Sequence, residues 1–126
     1  MSANSQAFSS FAVKELDAAK VFYGETLGLD VRDQPMGTLG IRLGTGAMVL
    51  VYPKPDHVPV TYTILNLPVP DIHAAVDRLV AAGVEMQRYP GMDQDEQGIS
   101  RGRGPNIAWF LDPSGNVVSV LEQSGG

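Results

Sequence analysis

Two stretches of the 126-residue sequence match each other at a fixed spacing, which indicates a fold built from two copies of one unit. Apolar, acidic and alanine positions of the first stretch recur in the same order 56 positions later. The matched residues are Val13, Glu15, Leu16, Ala18 and Ala19, with Val69, Asp71, Ile72, Ala74 and Ala75. A glycine suited to ending a helix follows each stretch, Gly28 in the first copy and Gly83 in the second. Such self-similarity predicts a duplicated structural unit.

Each copy reads as a strand, a helix and three further strands. The first helix is predicted from Leu16 to Leu27, because apolar residues recur there at three- and four-residue spacing. The second helix is predicted to begin after an N-cap at Asp71 and to end at Gly83. The predicted strands are residues 7–13, 30–33, 39–43, 47–52, 60–69, 85–89, 107–111 and 117–122. The sequence thus predicts an α+β fold of two βαβββ modules, with module one at about 6–53, a linker at 54–59 and module two at about 60–123.

The clearest local signal is the Asp-Pro-Ser-Gly segment at residues 112–115. Aspartate, proline and glycine occupy the turn positions that each of them favours, which predicts a three-residue hairpin loop with a glycine bulge. This turn sets the register of the strands on either side. Leu111 should pair with Val117, and Trp109 should pair with Ser119.

Composition excludes several classes of protein. The net charge of −5 argues against nucleic-acid binding, which requires clustered Lys and Arg, and it favours cationic ligands or simply solubility. No apolar run approaches the roughly 20 residues of a membrane helix, and the N-terminus lacks the basic and apolar regions of a secretion signal. There are no cysteines, so disulfides, thiolate metal sites and thiol nucleophiles are excluded. We therefore expect a cytoplasmic protein with no membrane association.

Two segments resemble a known family. The segment Val13–Tyr23 followed by Leu27–Leu29 is similar to the first module of the vicinal oxygen chelate superfamily, which includes glyoxalase I, bleomycin resistance proteins and extradiol dioxygenases. The segment Trp109–Asn116 resembles the closing hairpin of the same superfamily, where aspartate, proline, glycine and asparagine recur. The resemblance implies two βαβββ modules with curved sheets around a shared cavity, often in a homodimer.

The resemblance also implies where a metal would be held in metal-dependent members, which place His, Glu or Gln on the first and last strands of each module. The corresponding positions here are Phe8, Leu50, Ile64 and Ser119. Three of these side chains have no lone pair to offer, and a lone serine hydroxyl is a poor ligand for zinc, iron or manganese. Glu122 should lie on the opposite face of its strand. We therefore expect no metal and no other cofactor.

The cavity wall is predicted from the alternation of strand side chains, counted from the four positions above. The predicted residues are Phe8, Ser10, Met48, Leu50, Tyr52, Tyr62, Ile64, Asn66, Trp109 and Ser119. A mainly apolar wall with a few polar groups is typical of small-molecule pockets. The same side chains could instead pack against one another and fill the space inside the curved sheet, leaving no open cavity.

Several charged and histidine side chains outside the strands can be explained as surface residues. Arg101 and Arg103 lie in a long polar loop, where they could reach an anionic group at the cavity mouth or balance the acidic residues of that loop. His57 is predicted to be a surface residue of the linker. His73 is predicted to pair with Asp77, four residues further along its helix.

The leading hypothesis for function is metal-independent binding of a hydrophobic or aromatic small molecule, including an antibiotic, similar to the bleomycin-resistance branch. No catalytic residue is assigned, because no nucleophile–base pair and no pair of carboxylates falls in the predicted cavity. The first alternative is an enzyme of the same superfamily with a non-standard site. The second is a protein with a vestigial cavity that acts through a partner. A homodimer is expected from the family resemblance.

Overall fold

The structure, a computed structural model, describes residues 7–102 and 104–123. The chain divides between Val58 and Pro59 into two compact units. Each unit contains one small sheet and a helix, and this mixed architecture confirms the predicted α+β fold class. In the described ranges no helix is long and apolar enough to cross a membrane.

The first unit contains a four-stranded sheet in the order β1-β4-β3-β2. Its elements are β1 (Ser9–Val13), α1 (Leu16–Val21), β2 (Asp30–Gln34), β3 (Thr38–Arg42) and β4 (Met48–Pro53). β1 and β4 are parallel, whereas β4 with β3 and β3 with β2 are antiparallel. The predicted first helix ends its α-helical part early and continues as a π-helical segment, Phe22–Thr26.

The π-helical segment carries two consecutive buried aromatic residues. Tyr23 is fully buried, and its ring centroid lies 5.2 Å from that of Phe22 and 5.6 Å from that of Phe11 on β1. A π-helical turn is wider than an α-helical turn and accommodates both rings on the side of the helix that faces the sheet. Gly28, with a φ of 73°, follows the helix as predicted.

The second unit contains a three-stranded sheet in the order β5-β7-β6. Its elements are β5 (Thr63–Val69), α2 (Ile72–Ala81), β6 (Ile107–Leu111) and β7 (Val117–Glu122). The predicted N-cap of α2 is confirmed, because Asp71 Oδ1 accepts a hydrogen bond from the Ala74 amide at 3.2 Å. β5 is parallel to β7, and β7 is antiparallel to β6.

The prediction of a strand at residues 85–89 was wrong. Only an isolated bridge between Met86 and Phe110 forms there. The Ile107 carbonyl, which could extend this pairing, accepts a hydrogen bond from the Ser100 amide at 2.8 Å. The Tyr89 amide donates to Gln94 Oε1 at 2.8 Å. The loop and a side chain therefore satisfy the backbone groups that a fourth strand would have used.

The closing hairpin has the predicted register, with Leu111 opposite Val117 and Trp109 opposite Ser119. Its turn is held by Asp112, whose backbone carbonyl accepts a hydrogen bond from the Gly115 amide at 3.0 Å. The glycine has a φ of 88°, a conformation that favours a residue without a side chain.

In each unit one face of the sheet packs against the helix of that unit. The buried residues on the helix side are Phe11, Leu39, Ile41, Val49 and Val51 in the first unit and Leu65, Ala108, Phe110, Val118 and Val120 in the second. Burial of each large apolar side chain stabilises the fold by roughly 1.5–3 kcal/mol. The opposite face of each sheet, termed the helix-distal face below, carries most of the predicted cavity residues.

Candidate ligand-binding site

Three of the predicted cavity residues form one row across the second sheet. Asn66 on β5 is in register with Ser119 on β7, which is in register with Trp109 on β6. Ser119 is fully buried, and its hydroxyl donates a hydrogen bond to Asn66 Oδ1 at 2.6 Å. Asn66 is exposed and Trp109 is half-buried. The row therefore presents an amide group and an indole ring two strands apart, on either side of Ser119.

Tyr89 extends this row, although the sequence analysis did not include it among the cavity residues. Its ring meets Trp109 edge to face, with ring centroids 5.5 Å apart and an interplanar angle of 79°. Burial raises the pKa of Tyr89, so its phenol stays neutral at physiological pH. In the sequence, only the aromatic character of Tyr89 pointed to such a role. Its contact with Trp109 depends on the path of the loop after residue 89, which no local pattern predicts.

Three other predicted residues do not occupy regular positions on the helix-distal faces. Phe8 precedes β1 and Tyr62 precedes β5, and their exposed fractions are 64% and 66%. Ile64 lies at an irregularity in the β5–β7 pairing, where Thr63 is opposite Val117 and Leu65 is opposite Val118. Ile64 was predicted from the family resemblance, and Tyr62 by strict alternation counted from it; that alternation is interrupted at this point.

The remaining predicted residues share the helix-distal face of the first sheet. Ser10, Leu50 and Gly40 are in register across β1, β4 and β3, and Met48 and Tyr52 lie on the same face of β4. A Cβ atom at Gly40 would lie 2.8 Å from Met48 Sδ, so the methionine covers the glycine. These residues form a partly exposed, mainly apolar surface with two hydroxyl groups, those of Ser10 and Tyr52.

The positions that correspond to the metal ligands of the family do not fit a metal ion. Phe8, Leu50 and Ile64 provide no donor atom, and the Ser119 hydroxyl is already bonded to Asn66. Residues 7–102 and 104–123 contain no group of three or more His, Cys, Asp or Glu side chains arranged to hold a metal.

Glu122 lies on the helix side of the sheet, as predicted from strand alternation. Its Oε2 accepts a hydrogen bond from the Ile72 amide at 3.1 Å, at the first residue of α2. Its Oε1 accepts another from Asn106 Nδ2 at 3.2 Å. The carboxylate therefore anchors the N-terminus of α2 to the sheet.

Arg101 forms part of a surface network. One of its terminal nitrogens lies 3.1 Å from Asp95 Oδ2 and 2.7 Å from His73 Nε2. A guanidinium group can only donate hydrogen bonds, so Nε2 accepts and Nδ1–H of the histidine donates to Gln97 Oε1. Gln97 in turn donates to Asp77 Oδ1, so His73 reaches Asp77 through a bridging amide and not by the predicted direct pair.

These contacts correspond to the charge-balancing interpretation of Arg101. Arg103, the other residue suggested for a cavity mouth, lies outside the described residues. His57 lies in the connection between β4 and β5, where its amide donates to the Lys54 carbonyl at 2.8 Å.

Comparison with known proteins places these features in context. The family described as Glyoxalase/Bleomycin resistance protein/Dioxygenase superfamily matches residues 7–120 of the sequence. Among solved structures, TnmS3, an antibiotic binding protein from Streptomyces sp. CB03234, shares 26% identity and a TM-score of 0.72, covering 98% of this chain and 99% of that chain. A comparison with curated proteins gave no significant match.

Two further structures support the fold alone. A member of the same superfamily from Sphaerobacter thermophilus DSM 20745 has 24% identity and a TM-score of 0.67, covering 93% of this chain and 97% of that chain. FosX, a genomically encoded fosfomycin resistance protein from Listeria monocytogenes, has 14% identity and a TM-score of 0.71, covering 96% of this chain and 94% of that chain.

Proposed function

Because the chain belongs to the glyoxalase/bleomycin resistance protein/dioxygenase superfamily, we propose that it binds an aromatic or hydrophobic small molecule and releases it chemically unchanged. The observation that carries this proposal is the row of Asn66, Ser119 and Trp109, extended by Tyr89. The likeness to an antibiotic binding protein at 26% identity supports an antibiotic-like ligand. No metal ion takes part in the proposed binding.

Each side chain of the row has a distinct part in the proposed complex. The indole of Trp109 offers a flat apolar surface for an aromatic ring, and the edge-to-face contact with Tyr89 holds it in place. Because Ser119 donates to Asn66 Oδ1, the amide oxygen is engaged and the Nδ2–H groups are oriented to donate to the ligand. The proposed ligand therefore combines an aromatic ring with a hydrogen-bond acceptor such as a carbonyl oxygen.

The serine hydroxyl of the row orients the Asn66 amide in this proposal and is not a nucleophile. A nucleophilic serine requires a base that accepts its proton, whereas the Ser119 hydroxyl donates to an amide oxygen, which is not basic. The proposed function is therefore sequestration. The predicted cavity residues on the helix-distal face of the first sheet remain a separate prediction.

Fluorescence of Trp109, the one tryptophan of the sequence, tests the proposal directly. Titration with a panel of aromatic antibiotics should change its emission. Trp109→Ala should weaken binding by about 1–3 kcal/mol, measured by calorimetry because the fluorophore is lost, and Trp109→Phe should recover part of that loss. The fold should persist, because the helix-facing Val118 and Val120 are untouched.

Asn66→Asp provides the matched control for the polar contact. It keeps the size of the side chain but replaces the amide donor with an acceptor, so it should weaken ligands that carry a carbonyl group and spare those that lack one. Mass spectrometry of the released ligand should show its original mass. A chemically altered ligand, or affinities unaffected by Trp109→Ala, would contradict the proposal.

A cytoplasmic location and a homodimer complete the proposed function. The absence of cysteine from the sequence is consistent with a reducing compartment. The homodimer is supported by exposed apolar side chains and is considered further in the Discussion.

A further inference from the structure

A concave surface lies on the second unit, between α2 and the segment that follows it. This groove has a volume of about 570 Å³. Val76 and Val80 line it from α2, Val84 and Met86 line it from the following segment, and Gly98 lines it from the loop. Its volume falls within the range of about 300–1,000 Å³ that is typical of small-molecule sites. None of the residues of the Asn66 row lines it.

The two walls of the groove are tied together by hydrogen bonds. Gln97, on the loop wall, donates from Nε2 to Asp77 Oδ1 on α2 at 3.0 Å and accepts from His73 on the same helix. Gln94 Nε2 donates to the Gly98 carbonyl at 2.7 Å and to the Gln87 carbonyl at 3.0 Å. These bonds hold the loop in position without a ligand, so the groove is preformed and binding costs little conformational entropy.

The floor of the groove is apolar and its rim is acidic. Val80 is 56% exposed, unlike Val76 and Leu79 on the buried face of the same helix. Asp77, Glu85 and Glu96 provide three carboxylates at the rim against one guanidinium, that of Arg88. That guanidinium already donates to the Asp95 carbonyl at 2.6 Å. The rim therefore has excess negative charge around exposed apolar surface.

We propose that this groove binds an amphipathic organic cation, a small molecule with an ammonium group on an apolar or aromatic body. The apolar body would cover Val80, Val84 and Met86, and the ammonium group would lie among the carboxylates of the rim. The net charge of −5 on the whole chain adds a long-range attraction for such a ligand. This site is separate from the Trp109 site, and the inference does not depend on the proposed function.

Three small probes that share a phenyl ring on a four-carbon chain and differ in the charge of the head group test the inference: 4-phenylbutylamine, 4-phenylbutan-1-ol and 4-phenylbutanoate. Each would be titrated into the ¹⁵N-labelled protein and followed by two-dimensional NMR. The amine should shift the amides of Val80, Val84 and Gly98 and bind most tightly. The alcohol should bind more weakly at the same amides, and the carboxylate should bind least.

A double variant, Glu85→Gln with Glu96→Gln, isolates the electrostatic part of binding. Because each exposed charge contact contributes modestly and two are removed, its affinity for the amine should fall about twofold to thirtyfold, and its affinity for the alcohol should not change. Glu25→Gln, an exposed carboxylate of the first unit, should leave both affinities unchanged. Added salt should weaken binding of the amine to the wild-type protein.

Two results would overturn the inference. One is equal affinity of the groove for the amine and the carboxylate. The other is a set of amine-induced shifts centred on Trp109 and Asn66 with none at Val80 or Gly98. Loss of aromatic-ligand binding in Trp109→Ala, with amine binding retained, would separate this groove from the site of the proposed function.

Discussion

At the residue scale, the carboxylate of Asp112 organises the closing hairpin. Asp112 is 4% exposed, and its Oδ1 accepts hydrogen bonds from the amides of Ser114 and Asn116 at 2.9 Å each. Its Oδ2 accepts a third from Asn116 Nδ2 at 3.0 Å. In residues 7–102 and 104–123 every buried side-chain nitrogen and oxygen has a hydrogen-bond partner. These hydrogen bonds fix the turn, and the turn sets the strand register that positions Trp109 opposite Ser119.

Removal of this carboxylate should be costly. Asp112→Ala leaves two backbone amides and one side-chain amide without their acceptor in a buried turn, and each unpaired buried donor costs about 1–3 kcal/mol. Because water can reach part of an opened turn, we expect a total loss of about 2–4 kcal/mol in the free energy of unfolding. Urea denaturation would measure it, with the exposed Asp93→Ala as control. Equal midpoints for the two variants would contradict this account.

Met36 illustrates the reverse case, a residue whose replacement should stabilise the protein. It lies between β2 and β3 with a φ of 64°, followed by Gly37 with a φ of 67°. Positive φ at both central residues is the pattern of a type I′ turn, which favours Asn-Gly. The methionine side chain is 96% exposed and gains little from packing.

Met36→Asn should therefore raise the free energy of unfolding by about 0.5–1 kcal/mol, since asparagine tolerates the left-handed region better than methionine does. Thermal unfolding would detect the change. Met36→Val should lower stability, because a β-branched residue is strained at positive φ. If Met36→Val were more stable than Met36→Asn, the backbone conformation of this turn would not limit the stability of the protein.

At the element scale, the loop between α2 and β6 takes the place of a strand. Side chains there accept hydrogen bonds from backbone amides that strand pairing would otherwise satisfy. Asp95 Oδ1 accepts hydrogen bonds from the amides of Gln97 and Ile99 at 2.9 Å each. Burial raises the pKa of Asp95, but these two hydrogen bonds and the contact with Arg101 outweigh it, and the pKa is lowered overall. The loop is therefore most stable with Asp95 ionised.

This shift makes the order of the loop dependent on pH. Because the folded pKa lies below the ordinary value, the stabilisation is complete above about pH 4 and is lost as the pH falls through the lowered value. Hydrogen exchange of the Gln97 and Ile99 amides, corrected for intrinsic rates, should accelerate in that acid range. The amide of Ile41, in the core of the first sheet, serves as the reference. In Asp95→Asn the two loop amides should exchange faster at neutral pH and show no further acid step.

At the scale of the whole molecule, several large apolar side chains lie exposed on the single chain. Phe8 and Tyr62 are about two-thirds exposed, and Val58, the last residue of the first unit, is 78% exposed. Large apolar side chains that are exposed on a single chain can take part in an interface. These residues support the homodimer expected from the family resemblance, in which a second copy would cover them.

Sedimentation velocity at micromolar concentration should therefore give the mass of two chains, about twice 13.5 kDa. Phe8→Ser combined with Tyr62→Ser should shift the equilibrium toward the single chain, because it removes apolar area from the proposed interface. Met36→Ser, on an exposed hairpin remote in sequence from both residues, is the matched control. A monomer unaffected by concentration would refute the homodimer.

The amino-acid sequence determined those features that depend on neighbours along the chain. The repeat indicated two units of strand, helix and strands, and the turn chemistry of Asp112 to Gly115 predicted the pairing of Trp109 with Ser119. Alternation along β4 correctly placed Met48, Leu50 and Tyr52 on one face. These predictions succeed because backbone geometry, turn preferences and the two-residue period of a strand are set within a few residues.

Only the tertiary structure decided the features that depend on competition between distant segments. The strand predicted at 85–89 is absent because Ser100 takes the Ile107 carbonyl and Gln94 takes the Tyr89 amide. The same loop conformation places Tyr89 against Trp109 and forms one wall of the groove beside α2. Each backbone group accepts only a limited set of partners, and which partner it takes depends on segments that are distant in the sequence, so no local pattern could reveal the choice.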